Sequence, residues 1–264
     1  MSKKRLWLIN RVGLVSRLYA GAHEAALRRA YSRDFNKFKQ LAAESEPRFP
    51  VLWQDRYPCL HDQTSTTGFD RHYVYHPAWA ARVLAETRPA LHVDISSSLH
   101  FCSIVSAFVP VKFYDYRPAD LQLSGLSSEA ADLLALPFAD ASLQSLSCMH
   151  VVEHVGLGRY GDPLDPEGDL KAMAELRRVV APGGTLLFAV PVGRPKLMFN
   201  AHRIYSYAQV MERFTELELV EFTLIPDHAA DGGLIRHATA EMADAQAYGC
   251  GCFWFRRRDR PTAG

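Results

Sequence analysis

The chain predicts an α/β protein: a doubly wound, mostly parallel sheet with a helical N-terminal extension. Three observations carry this reading. From residue 77 onward, short apolar runs alternate with helix-length amphipathic ones. Two early runs, LHVDI (91–95) and VKFYD (111–115), each hold an aspartate at or near their ends. The run TLLFAVPV (185–192) is apolar almost throughout, as a strand covered on both faces must be.

Taken in order, residues 4–40 read as one or two basic amphipathic helices. Leu6, Leu8, Ile9, Val12, Leu14, Val15 and Leu18 fall near helical spacing, with Trp7 among them and arginines between. Such a helix either packs on the main domain or lies on a membrane surface. Residues 45–70 carry Pro47, Pro50, Pro58 and TSTTG and read as an irregular connection. Pro77 suits the first turn of a helix that AWAARVLAE continues and Pro89 ends. Strand 91–95, helix 98–108, strand 111–115 and strand 142–149 follow. The segment 169–180 has apolar residues at 170, 172, 173, 176, 179 and 180 and reads as a helix closed by APGG. After strand 185–192 come a helix at 206–214 and strands at 217–225 and 248–255. The expected division is a basic extension (1–45), a linking or covering segment (46–76), the α/β domain (77–258) and a flexible tail (259–264).

Composition narrows the function. Of 264 residues, 48% are hydrophobic, enough for one sizeable core, and the net charge is only +1. The charge is uneven. Residues 1–39 hold ten Lys/Arg against Glu24 and Asp34, an excess of +8, which leaves −7 for residues 40–264. A basic arm on an acidic body suits contact with a membrane surface, a nucleic acid or an acidic partner. The acidic body lacks an aromatic-basic stripe, which makes nucleic acid the weakest of the three. The five cysteines are odd in number and not spaced as a disulfide framework, and Cys250 and Cys252 form a C-x-C too small for a zinc site by itself. The expectation is a protein with reduced thiols in the cytoplasm, with no assigned metal, able to sit peripherally on the inner membrane.

In parallel sheets, ligands bind outside the carboxyl ends of the strands, at the switch point. The polar clusters of this chain follow its expected strands. Asp94 and Asp115 lie near the ends of consecutive strands, and an acid at the second such end can accept hydrogen bonds from both ribose hydroxyls. His150, Glu153 and His154 follow the third strand and spell H-x-x-E-H, a pattern also found in zinc peptidases. The long loop 156–169 holds Arg159 and Tyr160, suited to an anionic or hydroxyl-rich substrate. Asn200, His202 and Arg203 follow strand 185–192, and His202 is a further candidate base. The segment FDRHYVYHPAW, with Asp70, His72, Tyr73, Tyr75, His76 and Trp79, walls a sugar site or covers the sheet.

The ordered set HVDISSS, VKFYD, AADLLALPFADASLQSLSCMHVVEHV and ELRRVVAPGGTLLFAVP resembles class I S-adenosylmethionine-dependent methyltransferases over roughly residues 77–225. The resemblance implies a Rossmann-like sheet of seven strands and S-adenosylmethionine as cofactor. It makes Asp115 the ribose-binding acid, with Tyr116 beside it, and Asp132 the partner of the adenine amino group, with Leu133 against the ring and Cys148 nearby. Asp94, Ser96, Ser97 and Ser98 would hold the methionine end. His150, His154 and His202 remain alternative bases, and Glu153, Arg159, Tyr160, Asn200 and Arg203 would contact the acceptor. More narrowly, EHVGLGRYGDPLDPEGD and PVGRPKLMFNAHRIYS resemble a bacterial group of methyltransferase-like proteins found among surface-polysaccharide genes. That implies a glycan, sugar-lipid or small-metabolite acceptor methylated on oxygen or nitrogen. One departure stands out: the family's Gly-x-Gly-x-Gly loop is here Ser96 to His100. Either the loop takes another shape, or the cofactor binds weakly or not at all and the chain is an inactive scaffold in polysaccharide assembly. A zinc hydrolase using the H-x-x-E-H pentapeptide is the remote third reading.

Overall fold

The computed structural model describes residues 3–46 and 48–259, with side chains from residue 19 onward. The chain divides into two compact units, residues 1–68 and 69–264. The apolar face expected around Trp7 and the tail 260–264 lie outside the described residues.

In the first unit, helix α1 spans Lys3–Ala43. The segment after it does not trail away as a bare linker. Trp53 packs edge-on against Phe35 with ring centroids 4.9 Å apart, and Arg56 lies 4.4 Å over the Trp53 ring. His61 reaches Glu24 at 3.4 Å. No helix among the described residues is long and apolar enough to cross a membrane.

The second unit begins with α2 (Arg71–Thr87), six residues earlier than Pro77 suggests. Asp70 caps it by accepting from the Tyr73 amide at 3.1 Å, and Pro77 lies inside the helix. The buried stripe of α2 is His72, His76, Trp79, Ala80, Val83 and Leu84, the i, i+4, i+7 spacing of one helical face. Two histidines therefore open a stripe that is otherwise apolar.

The remaining elements are β1 (His92–Ile95), α3 (Leu99–Val105), β2 (Val111–Asp115), β3 (Leu126–Ala130), β4 (Leu143–Met149), α4 (Gly168–Val179) and β5 (Val180–Val192). Then come β6 (Lys196–Met198), β7 (His202–Ile204), α5 (Tyr207–Met211), β8 (Leu217–Ile225), β9 (Ile235–Arg236), α6 (Ala240–Asp244) and β10 (Gly249–Arg257). The main sheet has eight strands rather than seven, in the order β3-β2-β1-β4-β5-β10-β8-β9, while β6 and β7 form a separate ribbon. Strands β1 to β5 pair in parallel. Strand β10 runs antiparallel to both β5 and β8. The order reverses between β1 and β4, so the switch point lies at their carboxyl ends.

Alternation along β5 divides the core. Leu186, Phe188, Val190 and Val192 face α4 and α5, whereas Leu187 and Ala189 face α2 and α3. Both sets are buried, which is why this strand reads as one apolar run. Cys250 and Cys252 of β10 lie on the α2 side.

Candidate functional site

Three chain segments meet at the switch point: 94–98 after β1, 115–117 after β2, and 150–156 after β4. The loop after β1 keeps a glycine-like shape without glycine. Ser96 adopts φ +57°, in the left-handed region, and its amide donates to the Tyr114 carbonyl at 2.7 Å. Ser97 points inward and accepts from the Met149 amide at 3.0 Å, while Ser98 caps α3 through the Phe101 amide at 3.2 Å. His100 is exposed on α3 and does not line the cleft described below.

Asp94 is fully buried. It accepts from the Ser97 amide at 3.0 Å and from the Ser147 hydroxyl, and Ser147 lies 2.8 Å from His92. Burial pushes the Asp94 carboxyl up to about 6, against the opposing hydrogen bonds from the serines. Burial likewise pushes His92 down to about 3. Asp94 thus fixes the loop from beneath rather than lining the cleft, and Cys148 is buried in the core.

A cleft of about 370 Å³ opens above this loop. Ser96, Asp115, Tyr116, Arg117, Asp132 and Leu133 line one side, and His150, His154, Tyr160 and Asp162 the other. Asp115 accepts from the Arg117 amide at 2.7 Å, and Asp132 from the Leu134 amide at 2.8 Å, which orients each carboxylate. A second cavity, of about 400 Å³, is lined by Tyr73, His150, Glu153, His154, Arg159, Asn200, His202 and Tyr248. His150 and His154 belong to both cavities.

The pentapeptide 150–154 does not form an α-helical turn. His150 has φ +58°, and Val152–His154 make a short 3-10 turn. The two histidines therefore do not sit one helical turn apart on one helix face, as the metal pair of a zinc peptidase must, although both face Glu153 Oε1, His150 Nδ1 at 2.8 Å and His154 Nε2 at 3.7 Å. His150 places Nδ1 2.8 Å from Glu153 and Nε2 3.2 Å from the Cys250 sulfur. Burial opposes its charged form, but the Cys250 sulfur and the Glu153 carboxylate outweigh that and hold His150 above its ordinary value. Burial in turn raises the Cys250 thiol above its ordinary value. Glu153 has no exposure, and its second oxygen, Oε2, has no partner. His154 Nδ1 donates to the Ala201 carbonyl at 2.6 Å, which leaves Nε2 as the acceptor nitrogen. Burial holds both His154 and His202 below their ordinary values. His202 Nε2 is buried without a partner.

The loop 156–169 is pinned from within and forms the outer wall of both cavities. Asp162 accepts from the Gly156 amide at 2.8 Å and from the Tyr160 amide at 3.2 Å. Gly156 has φ +79°, and a Cβ there would meet the Asp165 carbonyl at 2.0 Å. Arg117 and Arg159 lie 5.0 and 5.1 Å over the Tyr160 ring. Arg203 lines neither cavity. It binds the Val155 carbonyl at 2.7 Å and lies 3.5 Å from Asp169, holding the loop's two ends. Arg117 and Tyr248 line the cavities without any signal in the sequence, whereas Tyr73 belongs to the segment expected either to wall a sugar site or to cover the sheet. The density of aromatics and histidines around Tyr73 is the signal there, and it slightly favours a packed cover.

The sheet order and the cleft together define a Rossmann-like α/β protein whose ligand cleft opens at the switch point. Comparison with solved structures agrees. The N1-methyltransferase acting on 1,6-didemethyltoxoflavin from Burkholderia thailandensis superposes with a TM-score of 0.51 at 13% identity, covering 70% of this chain and 79% of that one. That structure holds S-adenosylhomocysteine. The N-methyltransferase NodS of Bradyrhizobium japonicum WM9 gives 0.47 at 18% identity over 68% and 84% of the two chains. A TehB-like methyltransferase of Corynebacterium glutamicum gives 0.46 at 13% identity over 87% and 99%. The chain therefore has the fold of class I methyltransferases. Residues 138–226 match the family described as "Caenorhabditis protein of unknown function, DUF268". No curated protein matches the sequence.

Proposed function

We propose that the chain transfers a methyl group from S-adenosylmethionine to a hydroxyl-rich acceptor. The observation that carries the reading is the pair of cavities meeting at His150 and His154. The first cavity suits the cofactor's nucleoside. Asp115 offers a carboxylate for the ribose diol, Leu133 an apolar surface for the base, and Asp132 an acceptor for its amino group. Its volume lies within the roughly 300–1,000 Å³ usual for small-molecule sites, and the left-handed turn at Ser96 keeps the backbone of the loop open. When bound, the cofactor supplies a methyl group already activated on a sulfonium.

The chain's own residues then orient the acceptor and remove its proton. The second cavity is lined by Glu153 and His202, whose Oε2 and Nε2 are buried without partners. Arg159 and Asn200 supply donors, and Tyr73 and Tyr248 supply ring faces. That set matches a sugar or a comparable polyhydroxylated metabolite. His154 is the base we assign: it belongs to both cavities, its Nε2 is the acceptor nitrogen, and burial keeps it neutral at neutral pH. His150 has both ring nitrogens engaged. The glycan or sugar-lipid acceptor, and a place in polysaccharide assembly, rest on the sequence resemblance and on this polar lining.

The test is transfer of labelled methyl from S-adenosylmethionine to a panel of sugars and glycolipids. His154→Ala should lower the rate about 10²–10⁴-fold, the usual contribution of a positioned base, while S-adenosylhomocysteine still binds. Transfer undiminished in that variant would remove His154 from the mechanism, and no transfer to any acceptor despite cofactor binding would favour the scaffold reading.

A further inference from the structure

Behind the acceptor cavity, and sharing His150 with its lining, lies a cluster with no assigned role in removing the acceptor proton. His72 of α2, His150 after β4 and Cys250 of β10 bring one ligand atom each within 4.8 Å of one another. His76, one helical turn beyond His72, is fully buried with both ring nitrogens unpartnered, and its ring lies 5.0 Å from that of His150. Two unsatisfied nitrogens in an apolar layer beside Trp79 and Val83 are costly unless something ligates them. Glu153 bonds His150 Nδ1 at 2.8 Å, which leaves Nε2 facing the Cys250 sulfur. A carboxylate behind a histidine in this way fixes its tautomer and orientation toward a metal.

We propose that His72, His150 and Cys250 form a zinc site that ties α2 to β10 and to the segment after β4, with His76, outside the 4.8 Å group but unpartnered one turn along α2, turning in as the fourth ligand. Imidazole nitrogens with one thiolate suit zinc, and four protein ligands make a closed, structural site. The C-x-C pair is too small alone, but α2 and the strand-β4 end supply what it lacks. On binding, the Cys250 thiol gives up its proton to solvent and the thiolate enters the coordination shell. The site differs from an H-x-x-E-H peptidase centre in using His150 without His154. It stands independently of the methyl-transfer reading, since its evidence is the ligand geometry and the unpartnered His76.

Its test is metal content and cobalt spectroscopy on the full chain. The purified protein should carry close to one zinc per chain. After chelation, added cobalt(II) should give the d–d bands of tetrahedral coordination and a thiolate charge-transfer band, both erased by zinc. Cys250→Ser should abolish the charge-transfer band. His72→Ala should weaken zinc binding at least tenfold. His154→Ala should leave zinc content unchanged, even though it stops transfer. No metal bound at micromolar zinc or cobalt by the folded protein would overturn the proposal. So would a charge-transfer band that survives Cys250→Ser, or zinc lost on His154→Ala.

Discussion

Ser96 holds a left-handed backbone (φ +57°) that an L-residue adopts at a cost of about 1–2 kcal/mol. Ser96→Gly should therefore raise the melting temperature or leave it unchanged, and S-adenosylhomocysteine should bind at least as tightly. A Ser96→Val variant, β-branched at a positive φ, should lose stability in chemical denaturation. Beneath the loop, Asp94 has its carboxyl raised to about 6 from an ordinary value of 3.8. The fold thus favours the protonated form. The stability this carboxyl contributes is complete below 3.8 and is lost as pH rises through 6. Asp94→Asn carries no such charge, so its stability relative to the parent chain should improve between pH 4 and pH 7; a difference independent of pH would contradict this. At His154 the sign runs the other way for activity. The neutral ring is the base and its pKa is lowered, so the transfer rate should be flat through neutrality and fall only at pH values below 6.5. An acid limb centred above 6.5 would contradict the assignment.

Among the elements, the loop 156–169 is held from within at Gly156 and Asp162. The Gly156 carbon would clash with the Asp165 carbonyl if it carried a side chain, so Gly156→Ala should destabilise the fold by about 1–3 kcal/mol and expose the loop to limited proteolysis. The six strands expected from apolar runs are all present, because each buries a face and its period shows it. The strand Leu126–Ala130 was missed: its sequence LSSEA has one buried residue, and it forms the sheet's edge, where pattern is weakest. The two-residue β9 and the β6–β7 ribbon were missed for the same reason. Helix α2 was placed six residues late because Pro77 looked like a start, whereas the capping signal was Asp70. The cleft residues Asp115 and Asp132 were legible because they follow strands at the switch point. Tyr248 and the His72–Cys250 meeting were not, since they depend on α2 packing on β10, which no local spacing encodes.

For the molecule as a whole, charge is divided as sharply as structure. The +8 of residues 1–39 against −7 for the rest predicts a contact with anionic surfaces that salt weakens. The full chain should sediment with vesicles containing anionic lipid at low ionic strength, and not with zwitterionic ones. Equal sedimentation with both would assign the arm another role. In the second unit, two cavities share two histidines at the switch point of a methyltransferase fold, and the loss of three glycines has not closed the first of them. The most direct test of that claim is calorimetric titration of the full chain with S-adenosylmethionine and S-adenosylhomocysteine, beside an Asp115→Ala variant. The account predicts micromolar binding of both that the variant loses. No binding to the folded chain up to millimolar cofactor, or binding that Asp115→Ala leaves intact, would contradict it.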